Sequence, residues 1–415
     1  MRRVLFIVLL LFALPVFAQD DDETTDISPE LIANLDALDV AVSELRGLDI
    51  LAAVERRFPT KAEVIEFVTE STEEELDAQT ILEETQFYIA FDFVPADFDL
   101  MDTYTVLLAD QVAGFYDPET DIMNVLLTDS DTELGDNLPV LERLVYAHEY
   151  THALQDQHFD LSSYLEDIVE PDASLAALSL VEGDATMVMQ DYTFVLVETD
   201  PAALLSLLDT DLLADSEMPE GTPAVLEAEL IMPYFDGQLF VMALIDEGGW
   251  EAVDAAYANP PTSTEHILHP EKYIAGESPI EVSLNTLELG DGWELLLDRT
   301  MGEFYLREYL RTQLSNSTAA NVAAGWGGDR MNLYYNTETN SRAWVIELVW
   351  DTPEDAAEFR TSYGDFLLAR LPDSETVESC HQTAEETICL LGVDDTTVII
   401  SYAPDAALAQ QLMNQ

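Results

Sequence analysis

Basic residues are scarce in this chain of 415 residues. Fifteen Lys and Arg stand against 83 Asp and Glu, which gives a formal net charge of −68 at pH 7, and the only lysines are Lys61 and Lys272. A field of that sign repels nucleic-acid phosphates and anionic membrane surfaces. The charge therefore argues against nucleic-acid partners. It is typical of a solvated acidic exterior that suits cations, divalent ions or high salt.

Long apolar runs are scarce too, and the clearest one lies at the start of the sequence. Arg2 and Arg3 precede an apolar run at 4–18 that ends in small or apolar residues. This pattern is typical of a secretory signal peptide, and the run is shorter than the ~20 residues of a membrane helix. We expect export, a mature chain that starts near Gln19, and no membrane insertion after cleavage. The expected location is secreted, extracellular or in the periplasm and cell envelope.

Cysteine is limited to Cys380 and Cys389. Only one histidine, His381, lies beside them, so the pattern of a zinc finger with two cysteines and two histidines is absent. Because exported proteins meet an oxidising environment, we expect the two cysteines to form a local disulfide.

Hydrophobic residues, at 48% of the chain, are sufficient for a sizeable core, and the length suggests two to three domains. We expect an α+β protein with a mainly helical core, a small sheet with an edge strand, and a C-terminal α+β module. The predicted limits are 1–18 for the signal peptide, 19–59 for an acidic leader and N-terminal helices, 60–284 for the main domain, and 285–415 for the C-terminal domain.

Several local sequence signals predict where helices and strands lie within these domains. Thr60 with Glu63 forms the pattern of a capping box, and Thr352 before a proline is typical of a helix start. The β-rich segments 103–108 and 122–127 predict strands. Two helices are predicted between residues 137 and 197, with a loop near 167–172.

The motif that carries chemistry is His148-Glu149-Tyr150-Thr151-His152, in a strongly helical context. Residues four apart share one face of a helix, so both imidazoles can reach one metal ion. Glu149 lies ~100° further round the helix, close enough to act on a water held by that ion. These residues resemble the HExxH motif of the zincin metallopeptidases. The resemblance implies a Zn²⁺ cofactor held by His148 and His152, with Glu149 as general base, and it makes residues 60–284 a zincin-like catalytic domain.

Two residues compete for the third ligand position. His158 has the spacing of the metzincins, but Gln155 stands where that family has a glycine that ends the helix. If the helix continues, His158 lies ~15 Å along the axis from His148 and cannot reach the same ion. Glu182, in Leu178-Ser-Leu-Val-Glu-Gly-Asp184, is similar to the second metal-binding helix of the gluzincins, and Gly183 and Ala185 there allow helices to approach closely. We favour Glu182, with Asp184 as the next carboxylate or as a partner of a histidine ring.

Two further segments take expected roles from the resemblance. The segment 112–117 sits where zincins place an edge strand that pairs with substrate. A zincin also needs a donor that faces the developing oxyanion, and His266, His269 or Tyr273 can supply it. We expect His269 and Tyr273 to be catalytic in this sense. The segments 147–161 and 248–273 also resemble uncharacterised exported bacterial proteins, which implies no substrate.

The sequence therefore predicts a secreted zinc metallopeptidase of the gluzincin type that acts on peptide or protein substrates. The alternative is a non-catalytic exported binding protein in which the same residues hold a structural ion or none. The fourth coordination position distinguishes the two, because it is open in an enzyme and filled by protein in a structural site.

Overall fold

The computed structural model describes residues 28–111, 113–126, 135–166, 168–201, 218–219 and 221–414. The expected signal peptide at 1–18 lies outside these residues, as do Val112 and Leu127 of the expected strands. Helices and strands are mixed along the described chain, which divides into two compact units. Of the described residues, those within 28–77, 100–169 and 175–261 form the first unit, and those within 78–99, 170–174 and 262–414 form the second. The domain limits expected from the sequence remain predictions.

The first unit is mainly helical. Its helices are α1 (Pro29–Arg46), α2 (Lys61–Glu75), α4 (Leu100–Gln111), α5 (Val140–Phe159), α6 (Leu161–Glu166), most of α7 (Pro171–Thr199), α8 (Ala224–Gly248) and α9 (Trp250–Ala258). Its strands are β1 (Glu55–Arg57), β2 (Gly114–Asp117) and β3 (Ile122–Val125), in the order β1-β3-β2 with β2 at an edge. The core joins α1, α5 and α7 to the sheet, with Leu35, Tyr116, Ala153 and Val188 among its buried residues.

The second unit is built on a seven-stranded sheet. Its strands are β4 (Trp293–Arg299), β5 (Trp326–Asn336), β6 (Ser341–Trp350), β7 (Glu375–Val377), β8 (Cys380–Gln382), β9 (Thr387–Gly392) and β10 (Thr397–Ala403), in the order β4-β5-β6-β10-β9-β8-β7. Its helices are α3 (Ala78–Ala90), α10 (Thr264–Leu268), α11 (Pro270–Ala275), α12 (Gly302–Arg311), α13 (Asn316–Ala323), α14 (Pro353–Arg370) and α15 (Ala406–Met413). The pairings between neighbouring strands are antiparallel, so the predicted C-terminal α+β arrangement is confirmed in outline.

Local sequence signals are confirmed where they act over a few residues. Glu63 accepts a hydrogen bond from the Thr60 N–H at 2.6 Å, and the Thr60 hydroxyl accepts one from the Glu63 N–H at 3.3 Å, so the capping box is present. The Thr352 side chain caps α14. Cys380 and Cys389 form the expected disulfide, between the paired strands β8 and β9.

The predicted strand at 103–108 is wrong, because these residues lie in α4. Leu100, Tyr104 and Leu107 are the buried residues there, and their spacing of four and then three residues is the period of a helix. Burial of one helical face therefore outweighs the β propensity of the Thr-Tyr-Thr-Val segment. The strands at 114–117 and 122–125 are confirmed.

One described helix, α8, is long and apolar enough to cross a membrane by length and composition alone. Its most apolar window has a mean hydropathy of 1.3, and 39% of that window is buried. Helices of soluble proteins can pass the same test of length and composition, so the expectation of no membrane insertion remains a prediction.

Candidate metal centre

Helix α5 continues without a break through the motif and beyond it. It runs from Val140 to Phe159, and His148, Glu149 and His152 are all buried. No residue ends the helix at Gln155, so His158 lies further along α5, where its Nε2 is 2.8 Å from the carbonyl oxygen of Asp49. The structure therefore places His158 in another environment, and a metzincin arrangement of ligands does not form.

The second helix of the centre is α7, which brings Glu182 to the two histidines. His148 Nε2 lies 3.0 Å from His152 Nε2 and 3.1 Å from Glu182 Oε2, and His152 Nε2 lies 3.5 Å from the same oxygen. A tetrahedral zinc ion with bonds of 2.0–2.1 Å separates its ligand atoms by ~3.3 Å. The three donor atoms therefore have the spacing of one face of a zinc tetrahedron.

Gln155 sets the orientation of the His152 ring. Its side-chain amide donates to the carbonyl oxygen of Val181 at 3.0 Å, so its Oε1 is the atom that lies 2.8 Å from His152 Nδ1. An acceptor at that distance requires a proton on Nδ1, so in the neutral ring the lone pair lies on Nε2, the atom next to Glu182 and His148. Gln155 thus orients His152 so that Nε2 is the ring atom next to Glu182 and His148, and it also connects α5 with α7.

Glu182 is buried, and its charge is balanced only in part. Burial by itself raises the pKa of Glu182, but the neighbouring His152 and His148 outweigh it and hold the pKa at about 2. Its Oε1 and the Nδ1 of His148 are buried without a hydrogen-bond partner among the described residues. A buried carboxylate with an unpartnered oxygen is costly, and a cation held by these three side chains removes that cost. The donor set of two imidazoles and one carboxylate fits zinc.

Glu149 lies on α5 beside these groups and contacts the sheet. It accepts a hydrogen bond from the backbone N–H of Tyr116 on the edge strand β2, and its pKa is raised to about 7, mainly by burial and further by the charge of Glu182. A pKa in that range suits a general base at neutral pH. Gly114 lets β2 approach, because a Cβ there would lie 2.7 Å from a methyl group of Val145 and 3.3 Å from Glu149 Cγ. All four residues of β2 are buried.

Asp184, the other candidate carboxylate, faces away from the histidines. It accepts hydrogen bonds from Arg46 Nε at 2.6 Å and from the Tyr257 hydroxyl at 2.9 Å. Arg46 is fully buried, lies over the Trp250 ring, and also donates to Asp254 at 2.7 Å. This ion pair ties α7 to α1 and α9, so Asp184 supports the helix that carries Glu182 and does not contact a histidine ring.

A third helix, α8, completes the surroundings of the centre. Gly183 and Gly237 bring α7 and α8 into backbone contact, since a Cβ on Gly183 would lie 2.2 Å from the backbone of Gly237. Tyr234 on α8 lies beside His148, with ring centroids 5.9 Å apart. Burial, then the charges of Glu182 and Glu149, and a hydrogen bond from its hydroxyl to Glu182 raise the pKa of Tyr234 well above its usual value. Its hydroxyl therefore keeps its proton and can donate a hydrogen bond.

His269 and Tyr273, the expected oxyanion donors, belong to the second unit. There His269 Nε2 lies 3.0 Å from Glu303 Oε1, and His266 Nε2 lies 3.0 Å from the carbonyl oxygen of Glu277. Tyr273 packs edge-on against the His266 ring. The catalytic roles expected from His269 and Tyr273 stay predictions. Sequence reasoning did not point to Tyr234, which lies in an apolar helix without a recognisable motif.

Comparison with known proteins adds one match. Residues 295–413, in the second unit, match a family model described as a domain of unknown function (DUF8575). This match covers less than half of the chain and does not include the candidate metal centre. No curated protein and no solved structure matches the chain.

Proposed function

We propose that this chain is a secreted zinc-dependent metallopeptidase of the gluzincin type. The observation that carries the proposal is the first unit's cluster of three donors beside a buried glutamate. His148, His152 and Glu182 have ligand atoms within 4.8 Å of one another, and no other His, Cys, Asp or Glu of the described residues joins them. Structural zinc sites have four protein ligands, whereas catalytic sites have three. The donor count therefore supports an enzyme over a structural ion.

Zinc, when bound by these residues, supplies the Lewis acidity that polarises a scissile carbonyl. Glu149 then takes a proton from the attacking water and passes it to the leaving amine, and its raised pKa allows both transfers near neutral pH. Tyr234 keeps its proton beside the two carboxylates and can donate to the oxyanion that develops on the substrate. Gln155 keeps His152 in the tautomer that presents a lone pair.

The substitution Glu149→Gln tests this proposal. It keeps the size of the side chain and all three ligands, so bound zinc per chain should stay at the parent level. Hydrolysis of a complex peptide mixture, followed by mass spectrometry, should fall at least ~100-fold, because general-base catalysis contributes about that much. Glu198→Gln is the matched control, since Glu198 is exposed on α7, and it should cleave like the parent. Equal cleavage by the Glu149→Gln variant would rule out the mechanism.

A further inference from the structure

One side of α8 carries a stripe of large, exposed apolar side chains. Ile231, Phe235, Leu239 and Met242 are each 43–62% exposed. Their spacings of four, four and three residues place them on one helical face, and the stripe is ~16 Å long at 1.5 Å per residue. Single exposed apolar residues are ordinary, whereas a contiguous set indicates a surface that binds another molecule. Leu368 on α14 is the ordinary case, because no other large apolar residue in the described length of α14 is exposed.

The stripe lies beside the face of α8 that turns toward the metal centre. Tyr234 directly precedes Phe235, so their side chains leave the helix ~100° apart, and the centroid of the Tyr234 ring lies 5.9 Å from that of His148. Gly237, which is on the side of α8 opposite Phe235, packs against the backbone of α7. The back of α8 is therefore held in the first unit, while the stripe faces outward close to the centre.

The charged residues of α8 are all acidic, and the helix contains no lysine or arginine. Exposed carboxylates stand at both ends of the stripe, with Glu227 four residues before Ile231 and Asp246 four residues after Met242. Both share the helical face of the stripe. The surface is thus apolar in the middle and negative at each end. It is complementary to an apolar helical face that is flanked by Lys or Arg.

The same charges disfavour two other occupants of the stripe. In an antiparallel pair of copies, Glu227 of one copy lies opposite Asp246 of the other, and in a parallel pair each acid meets its own counterpart. Acid meets acid in both arrangements, and like charges repel. A membrane surface also fits poorly, because helices that lie in membrane interfaces carry Lys and Arg on their polar face, and α8 has neither.

We propose that the stripe is a docking surface for substrates that are cationic amphipathic peptides. The apolar face of the peptide helix packs along the stripe over about three turns, and its basic side chains pair with Glu227 and Asp246. The excess of 83 acidic over 15 basic residues attracts such peptides from a distance. This inference rests on the proposed peptidase function, because it makes the docked peptide the molecule that is cleaved.

Binding tests the docking surface without any need for hydrolysis. The zinc-loaded Glu149→Gln variant is titrated by fluorescence anisotropy with three labelled peptides of about five helical turns. The first has Leu at helical spacing with Lys elsewhere, the second has the same residues in an order that leaves no apolar face, and the third has Glu in place of Lys. We expect the first to bind at least ~10-fold more tightly than the other two, because it alone offers both an apolar face and positive charge.

Substitutions in the same background locate the binding surface. Phe235→Gln and Leu239→Gln remove apolar contact area with a residue that favours helices, and each should weaken binding of the first peptide at least ~5-fold. Glu227→Gln should weaken it roughly 2- to 5-fold at low salt, and the effect should shrink as salt is added. Leu368→Gln is the matched control, since it exchanges an equally exposed residue of α14, and it should keep the affinity unchanged.

Cleavage tests whether docking serves catalysis. A segment that the parent cuts in a peptide mixture is attached to the first peptide, and kcat/KM for this fusion is divided by kcat/KM for the bare segment. We expect a ratio of ~10 or more in the parent, mainly through a lower KM, and a clear fall of the ratio in Phe235→Gln. A ratio near one in the parent would overturn the substrate role of the stripe.

The outcomes separate this inference from the peptidase proposal. A preference for the first peptide that Phe235→Gln and Leu239→Gln together remove supports the docking surface even if the parent cleaves nothing, a result that would refute the peptidase proposal alone. Equal binding of the three peptides, or a preference that survives both substitutions, overturns the docking surface and leaves the peptidase proposal intact. It is also overturned if Phe235→Gln converts a parent dimer to a monomer in sedimentation equilibrium, or abolishes binding of the parent to phosphatidylcholine vesicles.

Discussion

The described residues hold two clusters of side chains whose atoms lie close enough to share a metal ion, one in each unit. His148, His152 and Glu182 form the first, and all three are buried. Glu265, Glu277 and Asp351 form the second, and only Glu265 is buried. The ammonium of Lys272 contacts all three carboxylates of the second cluster, at 2.5 Å for Glu265 and 3.6 Å for Glu277.

The difference lies in where each cluster obtains its positive charge. Lys272 supplies it in the second cluster from the chain itself, and those carboxylates also raise the pKa of the lysine. In the first cluster the partners of Glu182 are two imidazoles, and Gln155 orients one of them with its Nε2 toward the carboxylate. Closeness of ligand atoms therefore does not define a metal site. The first cluster has a buried carboxylate oxygen without a hydrogen-bond partner among the described residues, whereas all three carboxylates of the second cluster contact an ammonium group.

The largest expected effect separates the two clusters by zinc content. Glu182→Ala removes one of the three proposed ligands. Because changes to residues behind the ligands already cost roughly 10- to 100-fold in affinity, the loss should be at least that large. Glu277→Ala should leave bound zinc unchanged, as should His158→Ala. Zinc per chain after dialysis against a weak chelator measures all three variants. Equal retention of zinc in Glu182→Ala and the parent would show that Glu182 is not a ligand.

Tyr234 distinguishes a catalytic centre from a structural one. Tyr234→Phe removes only the hydroxyl beside His148, so bound zinc and folding should match the parent. We expect kcat to fall by roughly 100-fold with little change in KM, because an oxyanion donor acts mainly in the transition state. The measurement is steady-state hydrolysis of one defined peptide. Unchanged kcat would assign the oxyanion role to another group, and His269 and Tyr273 would be tested next.

A glycine-to-alanine substitution in each unit tests how closely the helices pack there. Gly183→Ala places a Cβ 2.2 Å from backbone atoms that cannot rotate away, so we expect the free energy of unfolding to fall by about 2–3 kcal/mol. Gly364 lies inside α14, where an added Cβ would meet no atom within 4 Å, and Gly364→Ala should stabilise by about 0.5–1 kcal/mol. Urea denaturation measures both. Equal changes in the two variants would contradict the close contact of α7 and α8.

The smallest expected effect concerns pH and the second unit. The hydrogen bond with Glu303 raises the pKa of His269 above its ordinary value of 6.5. A histidine of this kind stabilises the folded state fully below pH 6.5, and the contribution is lost as the pH rises through the higher folded-state pKa. His269→Gln should therefore flatten the decline of unfolding free energy as the pH rises above 6.5. Parallel profiles for parent and variant would show that the pair contributes nothing measurable.

Local features of the fold were predictable from the sequence, and the reason is their short range. The capping box at Thr60, the cap at Thr352 and the bridge between Cys380 and Cys389 each involve residues within nine positions of each other. The strand predicted at 103–108 failed because β propensity was given more weight than the helical spacing of the residues that α4 buries. Contacts between residues that are far apart in the sequence had no such local signal, so their roles could not be predicted in this way.

By itself, the sequence determined that His148 and His152 face one way with Glu149 beside them, because four-residue spacing on a helix places side chains on one face. It also limited the third ligand to a few residues, and the unbroken α5 removes His158 from that set. Only the tertiary structure shows which of Glu182 and Asp184 lies beside the two histidines. These residues are two positions apart on α7, so they point to different sides of the helix. The partners on each side come from distant parts of the chain: His148, His152 and Tyr234 on one, and Arg46 and Tyr257 on the other. The packing of separate helices determines which side of α7 Glu182 faces. No local sequence pattern predicts that packing.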